Sequence, residues 1–258
     1  MRHVVIEAVD QVARITINRP EKRNAIALAT VAELEAAIAE ANANAQIRVI
    51  VLTGAGDRAF ASGADLDELA GAMATPQQAA GYDAAVARLY DACEKSPVPV
   101  IARIQAHAIG GGCLLALACD VRVASETASF GVPAARIGLM LSAREHALLV
   151  NQIGASRAKL LLYSGRRLSA REAADWGLVD LAVPPDALDA QVDALAGEIA
   201  SNAPRAVRAA KRLVQAVGRE DALAEAASAG YGAIYGSEDL REGLAAFKAR
   251  RKPVFKGR

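Results

Sequence analysis

Three consecutive glycines, Gly110-Gly111-Gly112, stand between a β-type run, Val100–Ile104, and the unbroken apolar run Cys113-Leu114-Leu115-Ala116-Leu117-Ala118-Cys119. Glycine triplets are poor material for the interior of either a helix or a strand. They read as a sharp passage from strand to helix. The stretch Ile104 to Cys119 is 16 residues without Asp, Glu, Lys or Arg. It is broken by His107 and the glycines, so it predicts a buried helix rather than a membrane span. The free N–H groups of the first helical turn then point at whatever lies beside the triplet. Such a turn can donate to an oxyanion. Tight packing of the helix start against a strand would explain the same glycines.

The flanking pattern is α/β in its first half. Residues 3–9 and 12–18 alternate and are β-branched, which predicts a strand pair. Residues 28–44 and 76–94 carry helical periodicity, and 48–53 and 100–104 read as strands. Strand and helix in alternation is the α/β signature. Beyond about residue 140 the strands nearly vanish. Helices are predicted at 142–153, 155–163, 169–175, 185–201, 204–217, 220–235 and 238–250. The apolar stripe of the last helices must be covered by this chain or by another subunit. At 258 residues with 53% apolar content, the expectation is one large domain, or one domain with a helical appendage.

Charge excludes some function classes. Thirty basic residues against 29 acidic ones leave a formal charge of +1, no broad field for nucleic acid. Glu7 and Asp10 interrupt the N-terminus before a signal-type apolar region forms. Three dispersed cysteines, Cys93, Cys113 and Cys119, show no metal-type pairing and fit reduced thiols of a cytoplasmic protein. The cluster Gly54-Ala55-Gly56-Asp57-Arg58-Ala59 loosely resembles a dinucleotide fingerprint. That fingerprint needs a helix opening at its second glycine. The sequence that follows reads as extended or looped, so a strand-ending turn is expected and a nicotinamide-dependent enzyme is the weaker reading.

A second loop offers a free amide. In Phe60-Ala61-Ser62-Gly63-Ala64-Asp65-Leu66, the Gly63-Ala64 step enters a helix capped by Asp65. Two such loops, at Ala64 and near Gly111, are what an acyl-transfer or enolate-forming site needs. Removing one donor of such a pair typically costs about 3 kcal/mol of transition-state stabilisation.

With these segments, the chain resembles the crotonase, or enoyl-CoA hydratase/isomerase, superfamily. The resemblance runs through Asn18–Ala25, Val49–Gly56, Phe60–Leu69, Ala108–Cys113, Ala118–Asp120, Phe130–Pro133, Arg167–Ala170, Gly177–Asp180 and the basic tail from Phe247. It implies an α/β fold, a ββα-spiral core over residues 1–200, and a helical oligomerisation region over 201–258. It implies a homotrimer or a dimer of trimers, no membrane span, and no cofactor beyond the coenzyme A carried by the substrate. By resemblance, the oxyanion-hole amides are those of Ala64 and Gly111. Substrate contacts fall on Lys22, Arg23, Ala25, Ala61, Gly63, Asp65, Leu66, Leu114 and Ala134. Phe247 and Arg250 match positions that approach coenzyme A from a neighbouring subunit.

One departure bears on chemistry. Hydratases of this superfamily place a glutamate two residues after the glycine triplet and another directly after the Phe-Gly-x-Pro segment. Here those positions are Leu114 and Ala134, neither of which can move a proton. Two-glutamate hydration is therefore disfavoured. An enzyme with relocated acid–base groups, or a non-catalytic acyl-CoA binder, would fit instead. Candidate replacements are Tyr82, Asp83, Tyr90, Ser142, Arg144, Glu145, His146, Tyr231 and Tyr235. Among them His146 is the single imidazole, within the charged cluster Arg144-Glu145-His146. A solvent-facing helix histidine is the plain alternative. His107, just before the triplet, reads as structural.

Overall fold

The structure is a computed structural model that describes residues 2–258. The N-terminal alternation forms a hairpin of β1 (Val4–Val9) and β2 (Val12–Ile17), turning at Asp10, whose φ is 54°. Helix α1 (Leu28–Ala43) then returns the chain to β3 (Val49–Gly54), which lies parallel to β2. Next come β4 (Ala59–Ala61), α2 (Leu66–Ala72), α3 (Pro76–Glu94), β5 (Val100–Ile104), β6 (His107–Ile109) and α4 (Gly111–Ala118). They are followed by β7 (Val121–Ser125), β8 (Ser129–Gly131), α5 (Ala143–Ser164), β9 (Leu168–Ser169), α6 (Ala170–Asp175) and β10 (Leu181–Val183). Four helices close the chain: α7 (Leu188–Ser201), α8 (Pro204–Ala216), α9 (Glu220–Ile234) and α10 (Glu238–Lys248).

The strands make two sheets. One has the order β1-β2-β3-β5-β7-β10, parallel apart from β1; the other has the order β4-β6-β8-β9. Three times the chain lays one strand in each sheet and then a helix: β3-β4, β5-β6 and β7-β8. Each turn advances one position in both sheets, which is a ββα spiral. The helices expected at 142–153 and 155–163 form one element interrupted at Gly154, whose φ of 76° and ψ of 159° are not helical. The short strands of the second sheet and β7 had no sequence-based prediction. Three-residue strands carry too little alternation to reveal themselves.

Both faces of the larger sheet are covered, as a parallel sheet requires. Ile50, Leu52, Val100, Ala102 and Ala124 join a core with α1 and α4. Val49, Val51, Ile101 and Val123 pack under Leu188, Val192 and Ala196 of α7. Helix α4 is buried throughout from Gly112 to Ala118. Each leucine buried there contributes roughly 1.5–3 kcal/mol. α8 is tied to the sheet by Lys211, whose ammonium donates to Asp120 at 2.7 Å and to the carbonyls of Val98 and Cys93 at 3.1 and 3.3 Å. On α8–α10 and at the ends of α8 and α9, Val214, Val217, Tyr231, Tyr235, Leu244 and Phe247 are exposed.

All three cysteines are buried and unpaired. Burial pushes the Cys113 thiol up to about 12, and contact with Cys93, then burial, raises that of Cys119. Among the described residues, no helix is long and apolar enough to cross a membrane.

Candidate active site

The spiral delivers two loops to one point. Strand β4 ends at Ala61, and Gly63 follows with φ of 97°. A side chain there would be strained. Ile26 bridges Ala64 as a parallel pair: its N–H donates to the Gly63 carbonyl, and its carbonyl accepts from the Asp65 N–H. In a parallel bridge those two bonds use the neighbours of Ala64 and turn its own N–H to the other side. That N–H has no acceptor within the described residues. On the second loop, β6 runs into Gly110, whose N–H donates to the Gly131 carbonyl, and α4 starts at Gly111. As the first helical residue, Gly111 has no intrahelical acceptor for its N–H. The two amides are neighbours. A methyl built on Gly63 would stand 3.3 Å from the Gly111 nitrogen, and one built on Gly111 would stand 3.8 Å from the Ala64 nitrogen.

Buried polar contacts hold the first loop in place. Asp65 caps α2 through the Asp67 N–H and pairs with Arg19 at 2.8 Å. Both side chains are nearly buried, 8% and 11% exposed. The hydrogen bond from Arg19 keeps the Asp65 carboxyl below its ordinary value. Arg19 also donates to the Ala25 carbonyl, and the fully buried Asn24 amide binds the carbonyls of Ala55 and Ala59. The Gly54–Ala59 segment therefore ends a strand and leads into β4; no helix opens there.

A cavity of about 740 Å³ opens at the two amides. Lys22, Arg23, Ala25, Gly63, Ala64, Asp65, Leu66, Gly111 and Ala134 line it. Lys22 pairs with Asp67 and Asp65 at its rim. Other residues singled out in the sequence do not line it, among them Ser142, Arg144, Tyr231 and Tyr235. Ala61 is buried beside Gly112, and Leu114, three residues past Gly111 on α4, is fully buried without lining the cavity. His146 is exposed, its ring bonded to the Ser142 carbonyl. Phe247 is 85% exposed, and Arg250 lies beyond α10 with φ of 51°. Neither reaches this cavity within one chain.

Part of the cavity wall is polar. Tyr82, Asp83 and Tyr90 of α3 and Glu145 of α5 all line the cavity. Burial, followed by the field of surrounding carboxylates, pushes the Tyr82 hydroxyl up to about 12, and burial raises Asp83. The Tyr90 hydroxyl is buried, 3.3 Å from Glu145 Oε1 and 3.8 Å from a methyl built on Gly111. Arg144, next to Glu145, is held outside by ion pairs with Asp91 and Glu94. His107 lines the cavity with its ring against the Ser129 hydroxyl, and burial lowers its titration. Arg136 and Arg167 also line the cavity, unnoticed in the sequence because nothing there marks a surface arginine as facing inward. Among the described residues, no cluster of three His, Cys, Asp or Glu side chains could hold a metal ion.

Paired free amides beside an apolar cavity with carboxylates on its wall can stabilise a developing carbonyl oxyanion and move a nearby proton. Residues 7–258 match the enoyl-CoA hydratase/isomerase family. The chain is 34% identical over 259 residues to a short-chain-enoyl-CoA hydratase of Clostridium acetobutylicum, covering 98% of this chain and 97% of that protein. It is 34% identical over 261 residues to the 2,3-dehydroadipyl-CoA hydratase of Escherichia coli, with both chains fully covered. The crystal structure of an enoyl-CoA hydratase from Bacillus anthracis superposes with a TM-score of 0.92 at 38% identity, covering 99% of this chain and 100% of that one. Sequence, fold and the two converging amide loops agree: the chain belongs to the enoyl-CoA hydratase/isomerase family.

Proposed function

We propose that this protein binds an acyl-CoA thioester and holds its carbonyl oxygen between the N–H groups of Ala64 and Gly111 while charge builds on that oxygen as an enolate. The observation that carries this reading is the adjacency of two amides without acceptors among the described residues, at the cavity. Lys22, Arg23 and Ala25 form the rim along which coenzyme A lies. The chemistry is lyase- or isomerase-type rather than two-glutamate water addition, because Leu114 and Ala134 offer no proton. Coenzyme A arrives as part of the substrate, and no further cofactor takes part. Residues 1–200 form the acyl-CoA-binding core. Residues 201–258 join subunits into a trimer or dimer of trimers in the cytoplasm, which covers the exposed apolar side chains of α8–α10. In that assembly Phe247 and Arg250 reach a neighbour's coenzyme A.

Calorimetric titration with crotonyl-CoA, paired with a hydration assay, tests this reading. Saturable binding with hydration far below ordinary enzymatic rates is expected. Gly111→Pro deletes one N–H at a first-turn position that proline tolerates. It should lower turnover of any thioester found active by on the order of 100-fold. Unaltered turnover in the folded variant refutes the amide role, and fast crotonyl-CoA hydration by the unmodified protein refutes the reading of Leu114 and Ala134. Tight binding with no turnover of any enoyl-, β-keto- or malonyl-type thioester would identify a binder instead.

A further inference from the structure

The cavity lacks carboxylates at positions 114 and 134, yet five acidic side chains border it: Glu21, Asp65, Asp67, Asp83 and Glu145. Asp65 is committed to Arg19, Lys22 and the α2 cap. Asp67 is an exposed partner of Lys22, and Glu21 is exposed on the rim. Asp83 and Glu145 remain on the inner wall. Only Glu145 is linked to the neighbourhood of the amides, through the Tyr90 hydroxyl, which lies close to both Glu145 Oε1 and Gly111.

The carboxylate of Glu145 is also fixed in orientation. Its Oε2 accepts from the Ser142 N–H at 2.8 Å and the Ser142 hydroxyl at 2.9 Å, closing the capping box of α5. One oxygen is thus occupied by the fold, and the other is presented toward Tyr90. A base on a rigid element, with one oxygen anchored and the second bonded to a buried tyrosine on the cavity wall, is preorganised for proton transfer. His146, one residue on, is turned about 100° around the helix and faces away.

We infer that Glu145 is the catalytic base of this cavity and that Tyr90 is its positioning residue. This rests on the thioester reading given above. In the step, Glu145 Oε1 takes a proton from the carbon next to the thioester carbonyl. The C–H electron pair moves into the new carbon–carbon double bond, and the carbonyl π pair moves onto oxygen, where the amides of Ala64 and Gly111 receive it. The carboxylic acid so formed returns a proton to the same carbon, or to the carbon two bonds further along a β,γ-unsaturated chain. The second outcome is a double-bond shift that consumes no co-reactant. The acyl group must therefore carry an acidic hydrogen beside the thioester carbonyl.

The test is deuterium uptake from D₂O into 3-butenoyl-CoA, followed by mass spectrometry, with binding measured by calorimetry on the same preparations. Glutamine also closes a capping box, so Glu145→Gln should fold. It is expected to lose on the order of 100-fold or more in exchange rate, with Kd changed less than about threefold. Tyr90→Phe should lower the rate at saturating thioester about tenfold while leaving Kd and the thermal midpoint in place, a split that a purely structural tyrosine would not give. Asp83→Asn probes the other inner-wall carboxylate, and Glu198→Gln, exposed on α7 outside the cavity, should exchange like the parent. Wild-type exchange by Glu145→Gln, loss of exchange in Asp83→Asn instead, or no exchange by a parent that binds the thioester would each overturn the assignment of Glu145. Absence of saturable thioester binding by the parent would overturn the thioester reading with it.

Discussion

Replacing Gly112 with alanine should force the start of α4 off β4, and the two elements carry the two amides. An added Cβ would lie 2.2 Å from the Ala61 carbonyl oxygen, 2.7 Å from its carbon and 2.8 Å from its Cβ. Ordinary contact begins near 3.4 Å. The shortfall is 3.4 − 2.2, or 1.2 Å. The obstacle is backbone within a hydrogen-bonded sheet, so no rotamer change relieves it. Overpacking of this kind typically costs about 1–3 kcal/mol. Because Ala61 and Gly112 lie next to the segments that hold Ala64 and Gly111, a shift of about 1 Å misplaces one amide against the other, and such a misplacement can cost on the order of 100-fold in rate. Urea titration should show a lower midpoint with an unchanged slope, and thioester exchange should fall well beyond the loss in folded fraction. Gly197→Ala in α7 is the control. It has nothing within 4 Å and lies in a helix interior, so it should gain roughly 0.5–1 kcal/mol. A Gly112→Ala protein within 0.5 kcal/mol of the parent and equally active would refute the close-approach argument.

Two further expectations follow from the buried charges. Lys211→Met leaves the Asp120 carboxylate without its ammonium partner in a largely buried place, and should cost about 3–5 kcal/mol by denaturant titration. Because Lys211 is the tie between α8 and the sheet, hydrogen exchange in α8 should rise first. Asp65 titrates below its ordinary value of 3.8 in the folded chain, because Arg19 and Lys22 favour its charged form. The stability it contributes is therefore complete above pH 3.8 and is lost as the pH falls through the lowered folded value. Asp65→Asn should destabilise the protein at neutral pH and flatten this part of the acid-unfolding curve. An unchanged acid limb would remove Asp65 from the account.

Much of the architecture was legible because it rests on long periodic segments. The hairpin, α1, α3, β5 and the helices after residue 140 are all written in spacing that burial then enforces. The smaller sheet was not legible: Ala59–Ala61, His107–Ile109 and Ser129–Gly131 are three residues each, and their pairing comes from the spiral rather than from local preference. In the site, Gly63–Ala64 and Gly110–Gly112 were readable as free-amide positions because glycine and capping chemistry act locally. Tyr82, Asp83 and Tyr90 were nominated through the family resemblance, and it is α3 that brings all three to the cavity. That this face meets Glu145 was not readable. Ser142-x-x-Glu145 signals a helix cap, and only the packing of α3 against α5 turns the same carboxylate into part of the cavity wall. Residue type favoured His146, whereas the structure puts its neighbour Glu145 on the cavity wall.

The three native thiols are buried inside the protein, out of a maleimide's reach. A cysteine introduced at Met140, 82% exposed on the cavity rim, would then be the sole position to take a fluorophore. Ligand entry could be followed optically without first stripping the chain of its own sulfur.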